Sequence, residues 1–266
     1  MYEKFLLKIR NGTFKHDIHN KVELPIYIQK HKKLQYLIES VYCKYFEELN
    51  DEDFSHRAIL TPMNKNVSKL NNYILDSYVR GEEKIYFSFD SEEKMSIKNE
   101  QLLLPIEVLN NLNPPGFPKH SLHLKEGAIV MCLRNLSIGL ANGTKMKVIE
   151  MLENIIICKV LTGPHKNEIE YLPRITLSET LQSESTQLVR KQFPINLAYA
   201  LTIDKSQGQS LKRVGLYLCS ECFAHGQLYT ALSRATDPDS LFVFLGVEGQ
   251  EEVTTNIVWK EVFDAC

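Results

Sequence analysis

A chain of 266 residues is long enough for one large domain or two modest ones, each with its own core. Hydrophobic residues at 44% and charged residues at 24% are ordinary for a globular protein, and a net charge of −2 excludes a global basic field, though not a locally basic groove. No apolar run reaches membrane-spanning length, and MYEKFLLKIR mixes charge into too short an apolar stretch for a secretory signal, so the reading is an intracellular chain with no membrane partner.

In chain order, EKFLLKIRNG predicts a short helix closed by Gly12. VELPIYI alternates at Val22, Leu24, Ile26 and Ile28 in strand fashion, with Pro25 confining it to an edge or an extended linker. From Lys33 to Leu49 the apolar residues Leu34, Leu37, Ile38, Val41 and Tyr45 recur at a helical period, and the acidic NDED after them reads as a solvated turn. AILTPM is a short apolar strand. Asn64 is placed to cap the next helix, whose inward stripe is Val67, Leu70, Ile74, Leu75 and Tyr78. EKIYFSFD predicts another strand and PIEVLNNL a brief helix.

NPPGFPKH marks a boundary, after which the pattern changes to short strands with tight turns: LHLKEGAIVMCLRNL, KMKVIEMLE, NIIICKVLT and EIEYLPRITL, with Asn142-Gly143 as a hairpin signal. Such spacing suggests a small β-barrel. Between Ser178 and Gln187 the chain turns polar. The last third then reads strand (FPINLAYALTI), polar turn (DKSQGQ), strand (RVGLYL), helix (AHGQLYTALSRA) and strand (SLFVFLG). An α/β layer is therefore interrupted by a β insert and resumed.

Six cysteines lack the regular spacing of a disulfide scaffold. Cys219 and Cys222 form a CxxC, but Cys43, Cys132, Cys158 and Cys266 are scattered singly, which leaves a zinc site short of ligands and favours a structural role.

Chemistry concentrates in LTIDKSQGQSL, from Leu201 to Leu211. A strand that ends in a polar turn delivers its residues to the carboxyl edge of an α/β sheet, where ligands bind. Gly208 lets a backbone approach closely, Gln207 and Gln209 offer amides, Thr202 and Ser206 hydroxyls, and Lys205 a cation. The set suits phosphate oxygens, and equally a polar turn with no ligand. On the helix that follows, Leu228, Ala231, Leu232 and Ala235 form an apolar face, with Gln227, Thr230 and Arg234 opposite. Arg234 either favours the helix dipole or is aimed at a phosphate.

These two stretches, in this order and spacing, resemble motifs V and VI of superfamily-one helicases, most closely the Pif1 (petite integration frequency) family and, within it, the helicases of Helitron transposons. RAILTPMNKNVSKLN resembles motif IV. LNPPGFPKHSLHLKEGAIVMCLRNL and GLANGTKMKVI resemble the β-barrel insert of the family's second RecA-like domain, and LPRITLS, KQFPINLAYALTI and KRVGLYL continue in the same order. The resemblance implies an α/β RecA-like second helicase domain over residues 56–115 and 185–266, a small inserted β-barrel over 116–184, and a connector over 1–55.

It also implies roles. Arg234 matches the motif VI arginine finger that reaches the γ-phosphate of ATP. Gln207 and Gly208 match the motif V pair near the nucleotide, with Gln227 and Tyr229 in support. Thr202, Lys205 and Ser206 would face single-stranded DNA. Asp204 departs from the family's asparagine or histidine, and an acid there repels a phosphate backbone.

No glycine is followed by lysine, so GxxxxGK[ST] is absent, and LTID, which superficially resembles a magnesium-holding strand, is already part of motif V. The expectation is the C-terminal portion of an ATP-dependent 5′-to-3′ DNA helicase. ATP and Mg2+ would be bound mainly by an N-terminal RecA-like half supplied by the same gene or a separate chain, leaving this portion inactive alone. The alternative is a non-catalytic single-stranded DNA-binding remnant of a transposon helicase, or a fragment with an orphaned interface. The family acts on nuclear and mitochondrial DNA, which points to the nucleus or the mitochondrion.

Overall fold

The computed structural model describes residues 1–94, 104–180, 186–246 and 253–259. They fall into two compact units, one from Met1–Tyr78 with Tyr199–Cys266 and one from Val79–Ala198. The boundary expected between residues 184 and 185, and Cys266, lie outside the described residues.

The first unit is built on a five-stranded parallel sheet. Its order is Ala200–Thr202, Arg57–Thr61, Arg213–Tyr217, Leu241–Phe244 and Gln29–His31, with every neighbouring pair parallel. Parallel strands are covered on both faces and therefore read as continuous apolar runs. ILT, VGL and LFVF are buried along their whole length for that reason. Helix Leu34–Tyr42 packs on the central strands, and helix Asn64–Tyr78 packs on Ala200–Thr202 and Arg57–Thr61. A Cβ on Gly215 would lie 2.8 Å from the Val41 side chain, so glycine there lets helix and sheet close together. Asn71 fixes the strand that leads to the polar turn. Its Oδ1 accepts from the Tyr199 and Ala200 amides (2.9 and 2.8 Å), and its Nδ2 donates to the Ala200 carbonyl (3.0 Å).

Several local expectations change. The helix over 33–49 stops at Tyr42, because Cys43 takes a positive φ of 57°. NDED is not a free turn: Asn50 and Asp53 form a capping box that starts helix Asp51–Ser55. Asn64 lies inside the following helix, where the Met63 carbonyl accepts the first turn's bonds. In VELPIYI only Lys21–Glu23 is strand, and Ile26 is 99% exposed beyond Pro25.

FPINLAYALTI is two strands rather than one. Ile195–Leu197 is antiparallel to Ile129–Cys132 in the second unit, while Ala200–Thr202 belongs to the parallel sheet of the first. An unbroken apolar run conceals this division, because burial looks the same in either sheet.

The second unit is antiparallel. Its largest sheet runs Ile169–Pro173, Ile155–Val160, Lys145–Met151, Ile129–Cys132 and Ile195–Leu197, and is an open sheet with the first and last of these as its edges. A second sheet joins Ile175–Thr180, Thr186–Gln192 and Phe89–Lys94, and a pair joins Lys84–Phe87 to Ser121–Leu124. No sheet among the described residues closes into a barrel. Asn142-Gly143 ends a longer loop rather than a two-residue hairpin: Thr144 N–H returns to the Ala141 carbonyl, and Gly143 takes φ +91°. Leu109 of helix Ile106–Asn111 packs with Phe117, Leu177 and Leu188 in a core of its own.

Candidate functional site

The site begins where Thr202 pairs with Thr61 at the carboxyl edge of the parallel sheet. The chain turns at once. Ile203 N–H donates to the Thr61 carbonyl (3.1 Å), and Asp204–Ser206 make a single 3-10 turn. Gly208 then takes φ +80°. A Cβ added at Gly208 would meet nothing within 4 Å, so glycine is required by the backbone conformation and not by packing.

The polar residues of this turn divide into two groups. Ser206 is fully buried, and both its amide and its hydroxyl donate to the Ile203 carbonyl (3.0 and 2.6 Å). Thr202 is buried, and its Oγ1 accepts from the Lys205 amide (3.4 Å). Both hydroxyls hold the turn together, so in this conformation they do not face outward as the sequence reading had them. Asp204, Lys205, Gln207 and Gly208 are exposed. Partial burial of its ammonium nonetheless pulls Lys205 below the ordinary lysine value.

The second element is helix Gln227–Leu232, shorter than the AHGQLYTALSRA run because Gly226 enters it in the left-handed region at φ +68°. Leu228, Ala231, Leu232 and Ala235 are buried, as their spacing predicts. Gln227 is buried too, rather than on an outer polar face. Its Oε1 accepts from the Phe223 amide (3.1 Å), while its Nε2 has no partner among the described residues. Helix Tyr2–Arg10 lies against this helix: the Tyr2 hydroxyl donates to the Leu232 carbonyl (2.7 Å), and the Arg10 guanidinium stands 6.0 Å from the Tyr229 ring centre.

Arg234 joins the two elements. Its Nε donates to the Thr230 carbonyl (3.1 Å) and its Nη2 to Ser233 Oγ (3.1 Å). Its Nη1 crosses to the polar turn, donating to the carbonyls of Gln209 (2.9 Å) and Ser206 (3.4 Å). The main chain reinforces the junction, since Leu211 N–H donates to the Arg234 carbonyl (3.1 Å) and Leu211 bridges Ala235 in parallel.

Three further polar residues share this edge. Asn66 Nδ2 donates to Ser220 Oγ (2.9 Å) and Thr61 Oγ1 (3.4 Å). No local pattern marks them, because Ser220 meets Thr61 and Asn66 only once the strands are aligned.

Cys219 and Cys222 are both free thiols. Burial, with Asp204 and Glu221 nearby, pushes the Cys222 thiol up to about 12, which disfavours its thiolate at neutral pH. Burial also raises Cys219, and the Tyr217 hydroxyl, hydrogen-bonded to it, opposes that rise.

The donors that remain reachable, namely the Lys205 ammonium, the Gln207 side-chain amide and the backbone around Gly208, fit an oxyanion, and Arg234 can join them only by leaving the carbonyls it holds. The 201–211 turn supplies a single carboxylate, Asp204, which is too few ligands to hold magnesium by itself. Among the described residues, the three-residue His, Cys, Asp or Glu grouping with ligand atoms within 4.8 Å of one another is His165, Glu168 and Glu170, in the other unit.

Residues 107–151 match the family model described as DNA helicase Pif1, 2B domain. The chain is similar to the ATP-dependent DNA helicase Pif1 of Campylobacter jejuni, 32% identical over 225 residues, which cover 80% of this chain and 47% of that protein. The chain thus spans about half the length of that relative. Among solved structures it is similar to Bacteroides Pif1 bound to ssDNA, with TM-score 0.65 and 23% identity, covering 99% of this chain and 52% of that one. It is also similar to Bacteroides Pif1 in complex with ADP-AlF3 and ssDNA, with TM-score 0.62 and 20% identity, covering 99% and 52% respectively. At these identities the structural likeness establishes the fold, a mixed α/β arrangement of the RecA-like kind.

Proposed function

The chain belongs to the Pif1 family of DNA helicases, and from that premise we propose that it forms the C-terminal, DNA-tracking and phosphate-sensing part of an ATP-dependent 5′-to-3′ helicase. The observation that carries this reading is the hydrogen-bonded junction between Arg234 and the 206–209 carbonyls. Two stretches that the sequence reading assigns to nucleotide and to DNA are here one connected unit. Arg234 supplies the finger that stabilises developing charge on the γ-phosphate. Lys205 and Gln207, both exposed, take the strand's phosphates, with Gly208 allowing close approach. Thr202 and Ser206 serve the same site by fixing the turn, and Gln227 by anchoring the start of the finger helix.

ATP and magnesium enter mainly through a first RecA-like half, because this chain carries no P-loop and only one carboxylate in the turn. ATP supplies the opening and closing of the cleft. This chain's residues orient the terminal phosphate and grip the strand. The antiparallel strands of Val79–Ala198 support reading that unit, wider than the expected 116–184, as the family's insert, with the parallel-sheet unit as the RecA-like domain.

Titration of the purified chain with a fluorescent oligothymidine at low salt tests the reading. Binding should weaken steadily as salt rises, because released counterions drive it. A chain that shows no binding at low salt sinks the DNA half of the proposal. DNA-stimulated ATP hydrolysis by this chain alone, lost in Arg234→Ala, would overturn the assignment of ATP binding to another half.

A further inference from the structure

Arg234 is committed twice, and the two commitments exclude each other. A guanidinium has five N–H donors in one planar fork. In this structure Nε serves Thr230, Nη2 serves Ser233, and Nη1 faces the Gln209 and Ser206 carbonyls. Nη1 cannot hold those carbonyls and also present a two-pronged face to a phosphate, so reaching one means releasing the other.

What Nη1 holds is the part of the turn with least support of its own. Ser206 is tied back to Ile203, and Leu211 is tied to Arg234 and Ala235 by the main chain. Between these anchors lie Gln207, Gly208 and Gln209. Their own bonds are the Gln207 amide to Asp204 (3.2 Å), the Gln209 amide to Ser206 (3.0 Å) and the Gln209 side chain to Lys205 (3.3 Å). Gly208 sits at φ +80° with open space around it, and such a glycine has little to hold its conformation once a neighbouring brace is lost. The same segment carries the exposed Lys205 and Gln207.

We propose that Arg234, apart from any contact with nucleotide, is a positioning residue for single-stranded DNA: through the Gln209 and Ser206 carbonyls it holds the 205–209 turn in the shape that meets the strand, and lets go when an anion draws the guanidinium away. This rests on the reading of the turn as a DNA contact. It predicts that the strand is gripped most firmly while Arg234 is on the carbonyls and less firmly while it is on a phosphate.

The test uses the chain as it stands, with no nucleotide present. Oligothymidine affinity is measured over a series of salt concentrations for the wild type, Arg234→Lys and Arg234→Gln, and amide hydrogen exchange over 205–211 is followed in each without DNA. Lysine keeps the charge but loses the fork, so charge and geometry are separated. Both variants should bind about fivefold more weakly, the equivalent of roughly one net hydrogen bond, with the salt slope unchanged and exchange over 207–209 faster. A wild type and variants of equal affinity would overturn the brace. So would a loss in Arg234→Gln alone accompanied by a slope lower by about one, which marks a direct phosphate contact instead. Absence of wild-type binding refutes the DNA reading beneath the proposal, whereas wild-type binding without a variant effect refutes the proposal alone. If either variant unfolds, exchange speeds up across the whole chain and not over 207–209 alone. In that case Gln209→Pro, which perturbs the turn and keeps Arg234, should reproduce the affinity loss, and wild-type affinity in it overturns the brace.

Discussion

Arg190 in the antiparallel unit and Arg234 in the parallel one use the same side chain in opposite ways. Arg190 is fully buried and grips a carboxylate with two bonds, Nε to Asp90 Oδ1 (2.8 Å) and Nη2 to Asp90 Oδ2 (2.7 Å), and it also donates to the carbonyls of Pro118 and Leu109 (both 3.0 Å). Ser88 Oγ completes the carboxylate at 2.6 Å. Among the described residues, Arg234 is partly exposed and meets neutral oxygens alone, three carbonyls and a hydroxyl. An ion pair out of water cannot be opened without leaving a bare charge inside the protein, whereas a carbonyl beside solvent is readily replaced by a phosphate. The first arrangement suits a fixed joint and the second suits a part that moves.

The largest effect that separates the two is expected for Arg190→Met. It leaves the buried Asp90 carboxylate without its guanidinium, with the Ser88 hydroxyl and His120 Nδ1 (3.6 Å) still beside it, and should destabilise the antiparallel unit by about 3 kcal/mol. Denaturant titration with hydrogen exchange over Phe89–Lys94 and Thr186–Gln192 reads this out, and adding Asp90→Leu should recover much of the loss. A cost below about 1 kcal/mol would mean that Arg190 is no more fixed than Arg234.

A smaller effect comes from Lys145, buried in the same unit, whose ammonium burial pulls down to about 8. Between that value and the ordinary 10.5, the unfolded chain keeps a proton that the folded chain has lost. Stability therefore rises with pH across this window, by at most about 1.4 kcal/mol per pH unit, while the penalty for the buried charge is present in full below it. Denaturation midpoints at pH 8, 9 and 10 should rise in the wild type relative to Lys145→Met, because the buried thiols of Cys158 and Cys222, held up at about 12, pull stability down equally in both. Equal slopes would show that Lys145 is not the group responsible.

The smallest effect on stability belongs to Arg234→Gln, expected to cost under about 1 kcal/mol because its partners can turn to water. A loss of about 3 kcal/mol or more would make Arg234 a structural joint like Arg190 and remove the contrast.

The parallel strands announced themselves as the apolar runs AILT, VGLY and LFVF, and Leu228, Ala231, Leu232 and Ala235 as a helical face, because local periodicity reflects burial directly. LTIDKSQGQSL stood out because a buried strand ended on glycine, amides and a cation. Asp204, Lys205, Gln207 and Gly208 are indeed exposed there, but the burial of Ser206, Thr202 and Gln227 was not legible. A hydroxyl or amide looks the same in a sequence whether it meets a ligand or its own main chain.

Sequence alone thus determined the elements, the α/β order with its β interruption, and the pair of stretches on which chemistry rests. Each of these depends on spacing along one chain, and spacing is what a sequence records. Tertiary structure decided the rest. It divided FPINLAYALTI between two sheets, left the antiparallel sheet open, and closed Arg190 on Asp90 across 100 residues. It also turned Arg234 onto the Gln209 carbonyl, 25 residues earlier in the chain. Such partners are chosen by distance in space and by the need to satisfy every buried donor, and no local pattern encodes either.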